Sequence, residues 1–173
     1  DGVAACGLCP RACRIPPGGV GACHVRRNEG GALVADSYGR PAALQIDPVE
    51  KKPLAAYLPG TSTFSIGTFG CNLSCAFCQN HHLSRQGGAL QRAQAAVEPE
   101  AVVAMARRAG CRSVAFTYNE PTVFIEYAID IARLARAAGL GTVLVSNGFI
   151  SPAPRAALYP LIDAANIDVK GFS

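Results

Sequence analysis

The sequence has no tryptophan, one methionine and only 7% aromatic residues. Any core it builds must therefore rest on aliphatic side chains and alanine. Charge is sparse as well: 16% of the 173 residues are Asp, Glu, Lys or Arg, against 50% hydrophobic. That balance excludes a disordered polyelectrolyte and fits a chain that buries a core as one domain, or one domain with a small appendage. The net charge is +4. It suits an anionic substrate or cofactor but lacks the dense basic stripe of a nucleic-acid binder, so no nucleic acid is expected as a partner. No run reaches the roughly 18 apolar residues of a bilayer span, and no charged stretch followed by an apolar run marks a signal peptide. The sequence therefore predicts no membrane partner and a cytoplasmic location.

What the chain does have is cysteine. Seven of its eight cysteines fall in two tight groups, Cys6, Cys9, Cys13 and Cys23, then Cys71, Cys75 and Cys78. A secreted disulfide framework spreads its cysteines through the fold; thiols two or three residues apart converge on a metal instead. Cys111 stands alone before an expected strand and reads as a small buried hydrophobe.

Three regions follow from the patterning. Residues 1–28 are rich in Cys, Gly, Pro and Arg and predict loops tied around a metal. Residues 32–47 predict two short strands, Ala32–Ser37 and Ala42–Ile46, folded as a hairpin on Tyr38-Gly39-Arg40-Pro41. Asp47–Pro53 is a polar connector whose Lys51-Lys52 pair reads as solvated surface. The first unit thus runs over 1–62. From 63 to 173 strands and helices alternate. Strands are predicted at Phe64–Thr68, Ser113–Thr117, Thr142–Val145 and Ala165–Val169, with helices at Pro99–Ala109, Pro121–Ala138 and Pro152–Leu158. Proline opens each helix, and Gly110 and Gly139 close the first two. Such alternation argues for a parallel sheet with right-handed crossovers and function at the C-terminal strand ends. Cys71, Tyr118-Asn119-Glu120, Ser146-Asn147 and Asp168-Val169-Lys170 would then rim one face. A last strand with nothing to cover it predicts about two further βα units beyond this chain.

Ligand counting bears on the second cysteine group. Cys71-x3-Cys75-x2-Cys78 offers three thiolates and no fourth cysteine nearby. That suits a 4Fe–4S cluster with one iron left open to a substrate or cofactor; zinc needs a fourth ligand, for which His81 or His82 is at hand. The first group offers four thiolates within 18 residues, a complete shell for either zinc or an auxiliary iron–sulfur cluster. Glycines at 18, 19 and 21 let Cys23 fold back to that site.

The cysteine spacing, with Phe77 directly before Cys78, resembles the signature of radical S-adenosylmethionine (radical SAM) enzymes. Further stretches resemble the radical SAM member of the AmmeMemoRadiSam system, a relative of pyruvate formate-lyase activating enzymes. They are Cys-Gly-Leu-Cys-Pro at 6–10, Asp-Pro-Val-Glu-Lys-Lys-Pro-Leu at 47–54, Ser-Ile-Gly-Thr-Phe-Gly-Cys-Asn at 65–72, Phe-Cys-Gln-Asn at 77–80, Thr-Tyr-Asn-Glu-Pro-Thr at 117–122 and Ser-Asn-Gly-Phe at 146–149.

The resemblance implies a partial (βα)6 TIM-like barrel, about four units of which lie in this chain. It implies that Cys71, Cys75 and Cys78 hold the cluster and that S-adenosylmethionine binds its open iron. Phe77 would lie near the adenine, Asn119 and Glu120 in the place of a Gly-Gly-Glu motif, with Glu120 accepting from the cofactor's amino group. Ser146 and Asn147 would meet its ribose or carboxylate, and Asp168 and Lys170 match an Asp-x-Lys of the activating enzymes. Asn119 departs from the motif's glycine, and Val145 stands where the activating enzymes carry an aspartate. The implied activity is reductive cleavage of S-adenosylmethionine to a 5′-deoxyadenosyl radical that abstracts hydrogen from a small-molecule or protein substrate. Electrons would come from a donor such as flavodoxin or ferredoxin. The alternatives are activation of a glycyl-radical partner protein and a non-catalytic zinc-binding docking module.

Overall fold

The computed structural model describes residues 2–171. Its centre is a five-stranded sheet of β5 (Ala43–Pro48), β6 (Ser62–Gly67), β7 (Ser113–Phe116), β8 (Gly141–Ser146) and β9 (Ala164–Ile167), in that spatial order. Its last four strands are parallel, with Phe64 opposite Val114, Val114 opposite Thr142 and Leu144 opposite Ala165. Ahead of them lie two small antiparallel pairs, β1 (Ala4–Ala5) with β2 (Arg14–Ile15), and β3 (Arg26–Glu29) with β4 (Ala32–Ala35).

Three helices link the parallel strands: α3 (Pro99–Arg108), α4 (Ile125–Ala137) and α5 (Pro152–Leu158). Two one-turn helices, α1 (His81–Ser84) and α2 (Ala89–Arg92), sit in the long connection between β6 and α3. Pro99 and Pro152 open their helices, where a missing N–H costs nothing. Gly110 and Gly139, both left-handed, follow α3 and α4. Four strands in sequence with helical crossovers make this a partial TIM-like α/β fold.

Strand alternation decides which face each side chain takes. Phe64, Ile66, Val114, Phe116 and Leu144 join one core with Val102 and Ala106 of α3, Ala128, Ile131 and Ala135 of α4, and Leu158 of α5. Burying one such large aliphatic or aromatic side chain stabilises by about 1.5–3 kcal/mol. The residues between them, Thr63, Ser65, Ser113 and Ala115, are small and also buried, on the second face of the sheet. Cys111 belongs to the apolar core, as expected of a small hydrophobe.

The strands expected around 32–46 both form, but not with each other. Ala32–Ala35 pairs with Arg26–Glu29 across Gly30-Gly31, two left-handed glycines. Ala43–Pro48 runs antiparallel to β6 along its full length, from Ala43 opposite Gly67 to Pro48 opposite Ser62. The edge strand of the main sheet therefore comes from sequence on the N-terminal side of the expected boundary at 62. Polar Arg26–Glu29 reads as a loop by pattern. It forms a strand because its side chains find partners elsewhere: Arg26 pairs with Glu126 of α4, and Arg27 with Asp36 at 3.1 Å.

Lys51 and Lys52 part company. Lys51 is solvated, whereas Lys52 is 2% exposed, its ammonium 2.7 Å from Asp47 Oδ2 and 4.6 Å above the Tyr118 ring. The pair expected at the surface therefore contributes one buried ammonium, tolerated because a carboxylate and an aromatic face receive it. Among the described residues, no helix is long and apolar enough to cross a membrane.

Candidate cluster and cofactor site

A cavity of about 380 Å3 opens at the C-terminal ends of the parallel strands. All four expected rim sets reach it: Cys71, Phe77 and their neighbours after β6, Tyr118-Asn119-Glu120 after β7, Ser146-Asn147 after β8, and Asp168 and Lys170 after β9. Cys71, Cys75 and Cys78 line it together, while His81 and His82 do not. Val145 also reaches the wall.

The loop carrying the three cysteines is pinned from several sides. Gly70, at φ +86°, donates its N–H to Leu83 O at 3.0 Å. A Cβ there would lie 2.3 Å from the Cys23 carbonyl, so only glycine lets the loop pack this closely on the N-terminal segment. Leu73 N–H approaches Cys71 Sγ at 3.4 Å, and Cys78 Sγ lies 3.3 Å from Ser84 Oγ. Arg85 donates to the carbonyls of Ser74 and Cys75 at 2.9 and 2.8 Å.

Burial pushes the Cys71 thiol up to about 11; the Leu73 N–H opposes this, while Glu120, Cys75 and Cys78 add to it. A buried Cys71 thiol of this kind favours its protonated form unless a cation holds the thiolate charge. Among the described residues no three His, Cys, Asp or Glu side chains converge on one ion-sized position. The three thiols share the wall of a much larger cavity, and this donor set fits a cubane with one iron free of protein ligands.

Glu120 is tightly held. It is 2% exposed. Oε1 accepts from Thr122 N–H at 3.0 Å, Thr122 Oγ1 at 2.7 Å and Ser146 Oγ at 2.9 Å; among the described residues Oε2 accepts only from Asn147 N–H, at 2.8 Å. It thus caps the 3-10 turn Pro121–Phe124 and ties the ends of β7 and β8 together. Burial raises its carboxyl from the ordinary value, and the N–H and hydroxyl donors pull it back only in part. With one partner, Oε2 keeps acceptor capacity toward the cavity.

Asn119 holds the turn that leads into the cysteine loop. Its amide accepts from Thr68 N–H at 3.0 Å and donates to Thr68 Oγ1 at 3.0 Å, Phe69 O at 3.2 Å and Gly70 O at 2.8 Å. The residue lines the cavity, but its side chain holds the strand-to-cysteine turn. An asparagine in the place of the motif's glycine therefore acts as a brace. Ser146 Oγ also accepts from Gly148 N–H, and Asn147 Oδ1 from Phe149 N–H, which sets the turn after β8. Asn147 Nδ2 lies 2.9 Å from Asn72 Oδ1 and 4.0 Å from Cys71 Sγ. At the rim, Lys170 and Asp168 pair at 2.7 Å, and Asn166 donates to the other Asp168 oxygen at 2.6 Å. Phe77 is 67% exposed, an apolar ring at the mouth.

Other residues of the site have side-chain roles that no sequence pattern announces. Tyr118, at φ +69°, turns its phenol to Asp47 Oδ2 at 2.5 Å while its carbonyl accepts from Asn80 Nδ2 at 2.9 Å. Asn72, inside the cysteine motif, donates to Phe149 O at 2.7 Å, and its own carbonyl accepts from Arg11 Nε. Arg11, Asn72 and Arg85 are ordinary polar residues by pattern, and only the folded chain shows what they hold.

A cysteine-lined cavity at the carboxyl edge of a parallel sheet is thus the main feature of an α/β protein built to hold a metal cluster beside a small ligand. The sequence profile of the Radical SAM superfamily matches residues 65–173, and the chain belongs to that superfamily. Membership implies a 4Fe–4S cluster and S-adenosylmethionine. An uncharacterized protein of Methanocaldococcus jannaschii is 40% identical over 171 residues, covering 99% of this chain and 50% of that protein. The chain therefore spans about half the length of the curated relative it matches.

Proposed function

We propose that this chain carries the cofactor-cleaving half of a radical SAM enzyme that acts by hydrogen abstraction. The observation that carries this reading is the single cavity joining Cys71, Cys75 and Cys78 to Glu120, Ser146, Asn147, Asp168 and Lys170. When bound, the cluster supplies the electron that cleaves S-adenosylmethionine to methionine and a 5′-deoxyadenosyl radical.

The protein's own residues bind and orient. Glu120 Oε2 offers a carboxylate acceptor to the cofactor's ammonium, already aimed by Asn147 N–H. Phe77 presents a face for the adenine. Ser146 and Asn147 sit where ribose or carboxylate oxygens would approach, and the Asp168–Lys170 pair offers one charge of each sign at the rim. The same pair favours kinship with the activating enzymes, in which case the substrate is a glycyl-radical partner protein. The reductant is a one-electron donor of the flavodoxin or ferredoxin class.

The test is anaerobic reconstitution with iron and sulfide. The chain should show visible absorption that bleaches on reduction and a reduced-state paramagnetic signal perturbed by S-adenosylmethionine. Cys75→Ala should abolish both. Unchanged iron content and absorption in Cys75→Ala, after the four N-terminal cysteines are also replaced, would overturn the reading and leave a non-catalytic docking module.

A further inference from the structure

The cavity described above makes no use of the first four cysteines. The short β1–β2 pair brings two of them face to face, because Cys6 N–H donates to Cys13 O at 2.9 Å. Ala12, left-handed at φ +46°, donates to Cys9 O at 3.1 Å and closes the turn between them. A second turn, His24 N–H to Gly21 O at 2.9 Å, delivers Cys23. All four cysteines line one further cavity of about 20 Å3, with Leu8, Ile15 and Val123 as apolar wall.

Two guanidinium groups border this cavity, those of Arg11 and Arg26. Arg26 is 5% exposed, and its Nη2 is taken by the Glu126 carboxylate and by Val123 O at 3.5 Å. Its Nε–H is buried and has no partner among the described residues. An orphaned buried donor is rare and needs an explanation. In a cavity shared with four cysteines, a metal-bound sulfur would supply the missing acceptor. Four thiolates around a divalent ion carry two net negative charges, and Arg11 at the cavity wall offsets part of them, Arg26 being already paired with Glu126.

We propose that Cys6, Cys9, Cys13 and Cys23 hold one zinc ion in a closed tetrahedral thiolate site, with Arg26 Nε–H donating to a ligating sulfur. The four thiols share one small cavity with an apolar wall and together complete a tetrahedral shell with no open position, as a structural zinc site requires. The Cys6-x2-Cys9 spacing is that of a zinc knuckle, and a full protein shell makes the site structural. No three of the described donors converge on one ion-sized position, so binding draws the thiol side chains inward. It releases their protons as it does so.

This site grips the cluster loop. Arg11 Nε holds Asn72 O directly after Cys71, the Cys23 carbonyl sits against Gly70, and Leu8 O accepts Ser151 N–H at 2.9 Å next to the turn after β8. Zinc binding would therefore fix the wall on which Cys71 stands, whatever the cavity beside it catalyses.

The test is metal analysis of the chain purified without added metal, together with the Cys71→Ala, Cys75→Ala, Cys78→Ala triple variant. Both should hold about one zinc per chain, and X-ray absorption at the zinc edge should show four sulfur neighbours at about 2.3 Å. Cobalt exchange should give the intense visible bands of a tetrahedral thiolate site, lost in Cys9→Ser with Cys13→Ser. Absorption spectroscopy on the unaltered chain needs no variant to fold. A triple variant that holds about four irons with labile sulfide and no zinc would overturn the proposal in favour of an auxiliary cluster. So would a zinc shell of nitrogen or oxygen, or four freely titrating thiols with no metal retained.

Discussion

The phenol of Tyr118 donates a hydrogen bond to Asp47 Oδ2 at 2.5 Å, linking the end of one parallel strand to the antiparallel edge strand 71 residues earlier. The same oxygen accepts from buried Lys52 at 2.7 Å, and Oδ1 from Lys51 at 2.7 Å. Burial alone would raise the Asp47 carboxyl; these donors outweigh it and hold the group well below the usual carboxylate range.

Asp47→Asn should therefore be costly. It leaves the Lys52 ammonium buried without its counter-charge, and breaking such a pair by removing one partner costs about 3–5 kcal/mol. Urea denaturation at neutral pH measures the loss. The acid limb provides a second readout. A carboxyl with a depressed folded-state pKa contributes stability above its unfolded value near 4 and loses it as the pH falls through the folded value. The wild-type chain should lose stability progressively below about pH 4, and Asp47→Asn should show a flatter profile there.

Asn119→Ala tests the brace. It strands the Thr68 N–H and the carbonyls of Phe69 and Gly70 beside the cysteine loop, all of which bond its amide in the folded chain. A destabilisation of about 1–3 kcal/mol is expected. A cluster-loaded variant should also give up iron to a chelator faster than the wild type. Equal rates would show that the turn does not need its amide.

Glu120→Gln places an amide NH2 among the donors that surround this side chain, and it removes the charge offered to the cofactor. Calorimetry on cluster-loaded protein should show affinity for S-adenosylmethionine about ten- to a hundred-fold weaker, the loss of roughly 1.5–3 kcal/mol. Unchanged affinity would restrict Glu120 to capping.

Gly70→Ala and Gly110→Ala form a matched pair. Both glycines are left-handed, at φ +86° and +68°. A Cβ at position 110 meets nothing within 4 Å, whereas at position 70 it meets the Cys23 carbonyl at 2.3 Å. Gly110→Ala should cost only the backbone preference, about 1 kcal/mol. Gly70→Ala should cost several times that and should weaken retention of metal at both cysteine groups. Thermal melting with metal analysis distinguishes the two.

The parallel strands, the crossover helices and the four rim sets were legible in the sequence because each rests on a local cause: alternating apolar runs, proline at a helix start, glycine at its end. Pairing was less legible. Ala32–Ala35 could have met either neighbour, and the choice of Arg26–Glu29 depends on Arg26 reaching Glu126, 100 positions away. Lys52 looked like Lys51 until Asp47 and Tyr118 closed around it. Asn119 was visible as a departure from a motif, but its four bonds to residues 68–70 belong to the folded chain alone.

Tyr118 has a mechanical role as well. Its ring reaches down to the floor of the sheet at Asp47, and its carbonyl is clasped by Asn80, two residues beyond Cys78. Its left-handed backbone leaves it little room to relax in any other direction. The residue works as a tie-rod between floor and mouth. One side chain and one carbonyl thus anchor the loop that carries the thiols to a buried carboxylate on the antiparallel edge strand, outside the cavity they line.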